Sequence, residues 1–177
     1  MTLHEEYAKA LFLLTEELGT SEQALSDISI CREALLENPS YRGIADSPAL
    51  PVSEKLALIR EAFASVREEV RNLIMILCEQ HSVSLLPAVA KAYRMLYNEA
   101  RGIIEAEIIS AAALSEAQME KTRSKLRSLT GKEILLKNTI DKTLIGGAQL
   151  RYSGIQLDGS LRARLSDIES RLKSSII

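Results

Sequence analysis

Tryptophan is absent from these 177 residues, phenylalanine occurs twice and tyrosine five times. A core therefore has to be assembled from Leu, Ile, Val and Ala, which favours helix packing. Long apolar runs are missing as well. Leu73 to Cys78 is among the longest and falls far short of the roughly 20 residues that cross a bilayer, so no membrane span and no direct membrane insertion are expected. The N-terminus, MTLHEEYAKAL, has no basic region and carries Glu5 and Glu6. That argues against a signal or transit peptide, and the chain is expected to start here and stay inside. Cysteine occurs twice, at Cys31 and Cys78, in no CxxC and in no Cys/His cluster with metal-ligand spacing. Both read as buried reduced thiols, and no metal site is expected. Histidine also occurs twice, and neither His4 nor His81 belongs to an HExxH or accompanies a GxSxG. Adjacent acidic pairs such as Glu5-Glu6, Glu16-Glu17 and Glu68-Glu69 point in different directions on a helix, so they read as solvated faces and no catalytic residue is assigned.

What is present is a helical pattern over the first hundred residues. Tyr7, Ala10, Leu11, Leu14 and Leu18 recur at helical spacing until Gly19. Ser21 can cap a second helix with Leu25, Ile28, Cys31 and Leu35 on one side, ended by Asn38-Pro39. A less regular stretch follows, with Gly43, Pro48 and Pro51 marking turns around a possible short helix. Ser53 then opens a helix with apolar positions Leu56, Ile59, Ala62 and Phe63, and Val70, Leu73, Ile74 and Leu77 form the stripe of the next. A break near His81-Ser82 precedes Leu85, Val89, Ala92, Tyr93 and Leu96. Five or six short helices with brief connections imply a bundle.

At Gly102 the period changes from helical to alternating. Ile104, Ala106 and Ile108 alternate with Glu105, Glu107 and Ile109, a strand pattern that predicts a domain boundary, with 1–102 helical and 103–177 a small α/β unit. Ser115 to Gln118 matches a capping box, and Met119, Thr122, Leu126 and Leu129 continue as a helical face up to Gly131. Residues 132–140, 148–152 and 155–157 read as strands, the last two as a hairpin. Leu161, Leu165, Ile168 and Leu172 form the stripe of a terminal helix. Charge divides the same way: residues 1–102 hold 10 Lys/Arg against 15 Asp/Glu, and residues 103–177 hold 12 against 9. Two differently charged halves suggest different partners.

Gly146-Gly147 raises the question of a phosphate loop. Such a loop follows a strand and opens a helix so that amide N–H groups and the helix dipole meet the anion. Here the pair precedes a predicted strand and no GxxxxGK[ST] is present, so the glycines read as backbone freedom and no cofactor is expected. The modest basic excess after residue 103 comes without aromatic stacking residues apart from Tyr152, which argues against nucleic acid. Contact with an acidic helical partner suits it better.

The run ILLKNTIDKTLIGGAQLRYSGIQLDGSLRARLSDIESRL closely resembles the C-terminal signature of the ATP synthase delta subunit family, the counterpart of the mitochondrial oligomycin-sensitivity-conferring protein. The spacing of Ile140-Asp141, Leu144, Gly146-Gly147 and Leu150-Arg151, followed by Asp158-Gly159-Ser160, Arg162 and Leu165, carries the likeness. EEYAKALF, SLLPAVAKAYRML and EAEIISAAALSEAQ extend it over nearly the whole chain. Where many members carry further basic residues before the Tyr-Ala of the first helix, this chain has Glu5-Glu6.

The resemblance implies a mainly α protein, an N-terminal six-helix bundle followed by a small α/β C-terminal domain. It implies a non-catalytic peripheral-stalk subunit of F-type ATP synthase that links the catalytic F1 head to the b-subunit stalk and resists rotor torque during proton-driven ATP synthesis. Its place would be peripheral, on the cytoplasmic side of the energy-coupling membrane. The family grips the N-terminal helix of an alpha subunit with its first and fifth helices. Carried onto this sequence, that gives Tyr7, Ala10, Leu11 and Leu14 from the first, with Val89, Ala92, Tyr93 and Leu96 assigned to the fifth. The C-terminal unit would meet the C-terminal ends of the b subunits. There Asp141, Gly146, Gly147, Asp158, Gly159, Arg162 and Leu165 match the motif, most of them as residues that shape the fold. From the residues alone, a helical adaptor for some other amphipathic helix shows the same periodicities, and a small nucleotide-dependent switch would require ligand binding near Gly146.

Overall fold

The computed structural model describes residues 2–144, 147–152 and 155–158 of the chain. The terminal helix expected around Leu161, Leu165, Ile168 and Leu172 lies outside the described residues. The chain is mainly helical with a small four-stranded sheet, and it divides into two compact units, residues 1–97 and 98–177.

In the first unit α1 (Leu3–Glu17), α2 (Ser21–Glu37), α3 (Pro39–Asp46), α4 (Val52–Ala62) and α5 (Glu68–Glu79) follow one another, and a 3-10 turn (Val83–Leu85) leads into α6 (Leu86–Arg101). Local chemistry sets the boundaries. The Glu5 side chain accepts the Thr2 N–H at 2.7 Å in a capping box, a role the sequence reading of Glu5-Glu6 as a solvated pair did not assign. Asn38-Pro39 ends α2, and Pro39 occupies the first turn of α3, where its missing N–H breaks no helical bond. His81 turns the chain at φ 51° after α5, and the Asp46 carboxylate receives the Val83 and Ser84 N–H groups at 2.6 and 3.0 Å.

The core of this unit is aliphatic. Ala24, Ile28, Cys31 and Leu35 of α2 meet Val70, Ile74, Leu77 and Cys78 of α5 and Val83, Leu86, Val89 and Tyr93 further on. The α4 stripe differs from its expected form. Ile59 and Phe63 are buried, but Ala62 is exposed and Lys55 takes the place one turn before Ile59 at 1% exposure. Its Nζ donates to the Ser47 carbonyl at 2.8 Å and lies 3.1 Å from His81 Nδ1. Those partners make burial of a lysine tolerable.

The second unit holds β1 (Ile103–Ser110), α7 (Glu116–Thr130), β2 (Glu133–Ile140), β3 (Ala148–Tyr152) and β4 (Ile155–Asp158), in the sheet order β2-β1-β3-β4. β1 pairs parallel with β2 from Ile103↔Glu133 to Ser110↔Ile140, α7 forming the crossover that a parallel pair requires. β3 lies antiparallel on the other edge of β1 and pairs with β4 as the expected hairpin. Ala106, Leu126 and Ile134 form the core between helix and sheet, with Ile104, Leu136, Leu150 and Tyr152 packed against them. The Ser115 to Gln118 capping box is present, Ser115 N–H donating to Gln118 Oε1 at 2.9 Å. Gly131 closes α7 at φ 68°, in the left-handed region open to glycine. Leu129 is 71% exposed, so the α7 stripe ends at Leu126.

Candidate functional site

The candidate site is a groove on the first unit, between α1 and α5. It encloses about 270 Å3. Tyr7, Ala10, Leu11 and Leu14 form its α1 wall, and Glu68, Glu69, Asn72, Leu73 and Ile76 its α5 wall. On α1 these positions are one helical face at i, i+3, i+4 and i+7, with Ala10 small enough to leave a hollow. Leu11 and Leu73 form the floor at 5% and 6% exposure, while Leu14 and Ile76 stand 45% and 46% exposed. The groove thus combines a covered apolar floor with two large aliphatic side chains left in water, and an amphipathic helix laid in it would remove both from solvent. Glu68 and Glu69 sit in the first turn of α5, where the helix dipole favours carboxylates. The Arg67 N–H donates to Asp27 Oδ2 of α2 at 3.0 Å, which fixes where α5 begins.

The structure brings the four α1 candidates together on this groove. The other four lie elsewhere. Val89, Ala92, Tyr93 and Leu96 belong to α6, and the fifth helix is Glu68–Glu79. The stretch around Gly43, Pro48 and Pro51, read from sequence as turns around a possible short helix, overlaps α3 (Pro39–Asp46), and counting α3 makes Leu86–Arg101 the sixth helix. Val89 and Tyr93 have no exposed surface, and Ala92 and Leu96 are half-buried against the same core. Val89 and Tyr93 therefore cannot serve as groove residues. The α5 wall was missed, and its signal was Ile76, an apolar residue just off the Val70, Leu73, Ile74 and Leu77 stripe, with nothing inside the bundle to cover it.

In the second unit, Asp141 directly follows β2. Its Oδ1 accepts the Thr143 hydroxyl at 2.6 Å and the Thr143 N–H at 2.9 Å, and these bonds hold its carboxyl below the usual range, the hydroxyl contributing most. Gly147 has φ 82° and sits immediately before β3, so it bends the chain into a strand and opens no helix, contrary to what a phosphate loop needs. Asp158 is the last residue of β4, paired with Gln149. Gly146, Gly159, Arg162 and Leu165 lie outside the described residues. Among the described residues no group of three or more His, Cys, Asp or Glu is placed to hold a metal ion. No helix among them is long and apolar enough to cross a membrane.

Residues 3–172 match the family model of the ATP synthase delta (OSCP) subunit. The chain is similar to ATP synthase subunit delta of Geobacillus sp. (strain WCH70), 33% identical over 169 residues, 95% of each protein. It is also similar to ATP synthase subunit delta of Geobacter sp. (strain M21), 31% identical over 171 residues, 96% of this chain and 95% of that protein. Its fold matches a chain in the cryo-EM structure of the Toxoplasma gondii mitochondrial ATP synthase hexamer with a TM-score of 0.74, covering 97% of this chain and 98% of that one at 24% identity. The chain belongs to the ATP synthase delta (OSCP) subunit family, and is a non-catalytic component of the peripheral stalk of F-type ATP synthase.

Proposed function

We propose that this chain ties the catalytic F1 head to the b-subunit stalk by gripping a different partner with each unit. The helical domain read from sequence, residues 1–102, acts as the six-helix bundle of the family and takes the N-terminal helix of an alpha subunit along Tyr7, Ala10, Leu11 and Leu14. In this reading the opposite wall is α5, through Leu73 and Ile76, in place of the α6 positions. The α/β domain read from sequence, residues 103–177, meets the C-terminal ends of the b subunits, with Asp141, Gly146, Gly147, Asp158, Gly159, Arg162 and Leu165 shaping or lining that contact. In this reading the chain sits peripherally, on the cytoplasmic side of the energy-coupling membrane.

The observation that carries this reading is the α1/α5 groove with Leu14 and Ile76 left in water. Covering two such aliphatic side chains contributes a few kcal/mol, at about 25 cal/mol per Å2 of apolar surface. A stator has to stay attached while the rotor turns, and slow dissociation comes from buried apolar contact more than from rim charges. Reconstitution tests the proposal. Synthase stripped of this subunit and refilled with an Ile76→Asp chain should hydrolyse ATP while losing proton-coupled synthesis. Coupling at the unsubstituted level would overturn the groove assignment.

A further inference from the structure

A second trough crosses the first unit, between α2 and α6, and its charge is opposite to that of the α1/α5 groove. The α1/α5 groove is flanked by Glu68 and Glu69, and among the described residues no Lys or Arg lines it. The α2/α6 trough encloses about 270 Å3 between Ser29, Arg32 and Leu36 of α2 and Pro87, Lys91 and Arg94 of α6. Ala90 adds to its floor, and among the described residues no carboxylate lines it. Three cations thus gather in one strip of a half-chain in which Asp and Glu outnumber Lys and Arg by 15 to 10. Arg32 and Lys91 face this strip from opposite helices, and a negatively charged partner would be drawn to both.

The shape of the trough decides what kind of anion. Its lining recurs at i, i+3, i+7 on α2 and at i, i+4, i+7 on α6, two turns or about 10 Å of each helix. A compact oxyanion needs donors converging on one point, whereas these cations are spread along a channel. Between them lie Pro87, Ala90 and Leu36, the last 44% exposed. Apolar floor with cationic flanks over two turns is the complement of a helix with an apolar stripe bordered by carboxylates. We propose that the α2/α6 trough is a docking site for an acidic amphipathic helix of a partner protein, so that the two grooves of this unit sort their partners by charge.

The test uses the full chain and two synthetic helices of about 20 residues that share one leucine stripe, flanked by Glu in one and by Lys in the other. Binding is read by fluorescence anisotropy at low and raised salt, beside vesicles of phosphatidylglycerol in phosphatidylcholine. The Glu helix should bind more weakly as salt rises. The pair Arg32→Glu and Lys91→Glu should lower its affinity about tenfold or more without lowering that of the Lys helix. Arg32→Gln with Lys91→Gln should give a smaller loss in the same direction, which covers any failure of the reversal variant to fold. An affinity for the Glu helix that neither pair changes would overturn the proposal. So would vesicle binding that depends on Arg32 and Lys91 while the Glu helix stays unbound, which would make the trough a membrane contact.

Discussion

Tyr93 Oη on α6 lies 2.6 Å from Thr15 Oγ1 on α1, and neither residue has any surface in solvent. The Tyr93 hydroxyl also donates to the Ser21 carbonyl at 3.1 Å, and its ring meets Phe12 edge-on at 5.8 Å. One side chain therefore fastens α6 to α1 and to the start of α2. Tyr93→Phe keeps the ring and withdraws a partner from both Thr15 and Ser21, at a cost of about 1–3 kcal/mol. Thermal melting should show the loss as a Tm lower by roughly 4–8 °C for each kcal/mol. Affinity for an alpha-subunit peptide should hold, because Tyr93 is core and not groove wall.

Lys55 is the polar counterpart. Lys55→Ala removes the bond to Ser47 and leaves a cavity beneath α4, and should destabilise the first unit by about 2–4 kcal/mol. A urea titration followed by far-UV circular dichroism measures it. A surface lysine would cost within about 0.5 kcal/mol, and a result that small would contradict the burial.

Burial, reinforced by the nearby Asp27 carboxylate, pushes the Cys31 thiol up to about 12. Burial also raises Cys78, with the Lys55 ammonium pulling the other way. Both thiols are free and buried, and a neutral thiol is a poor nucleophile. Iodoacetamide near pH 8 should therefore leave the native chain unlabelled by mass spectrometry and label both residues in urea. A thiol raised in the folded state contributes stability that is complete below its ordinary value of 9.0 and is lost as pH rises from there towards 12. Denaturant midpoints should accordingly fall above pH 9, and a Cys31→Ser chain should lose that part of the alkaline decline.

Asn138 on β2 accepts the Leu114 N–H at 3.0 Å and donates to the Ile108 carbonyl at 3.0 Å and to Ser110 Oγ at 2.8 Å. It clips the loop before α7 to β2 and to its neighbour β1. Asn138→Ala should destabilise the second unit by about 1–3 kcal/mol and leave alpha-peptide binding unchanged. Hydrogen exchange should speed up across β1 and β2 and not across α5.

How far the sequence revealed this molecule depends on whether a residue's neighbours are local. The α1 and α2 stripes, the Ser115 capping box, the Gly131 stop and the hairpin of β3 and β4 depend on near neighbours, and all were legible. Strand order was not: β1 pairs parallel with β2 and antiparallel with β3, and nothing in its alternation separates the two edges. Lys55 was illegible for the same reason, since Ser47 and His81 become its partners only after α3, α4 and α5 pack. The groove was half legible. Tyr7 to Leu14 form a continuous face, but its opposite wall comes from α5, which begins at Glu68, 51 residues after α1 ends at Glu17. Periodicity reports burial and cannot tell a core stripe from a docking stripe; Val89 and Tyr93 came to be read as groove residues because the resemblance assigns the groove to the first and fifth helices and their helix reads as the fifth from sequence.

Calorimetric titration of the full chain with a peptide covering roughly the first 25 residues of the cognate alpha subunit tests the central claim most directly, run beside Leu14→Asp and Ile76→Asp chains. Both positions are exposed, so the fold tolerates the change. The account predicts one-to-one binding that each substitution weakens by about tenfold or more, as expected when a charge is placed in an apolar contact. Equal affinity for all three chains, or no binding to the unsubstituted chain, would contradict it.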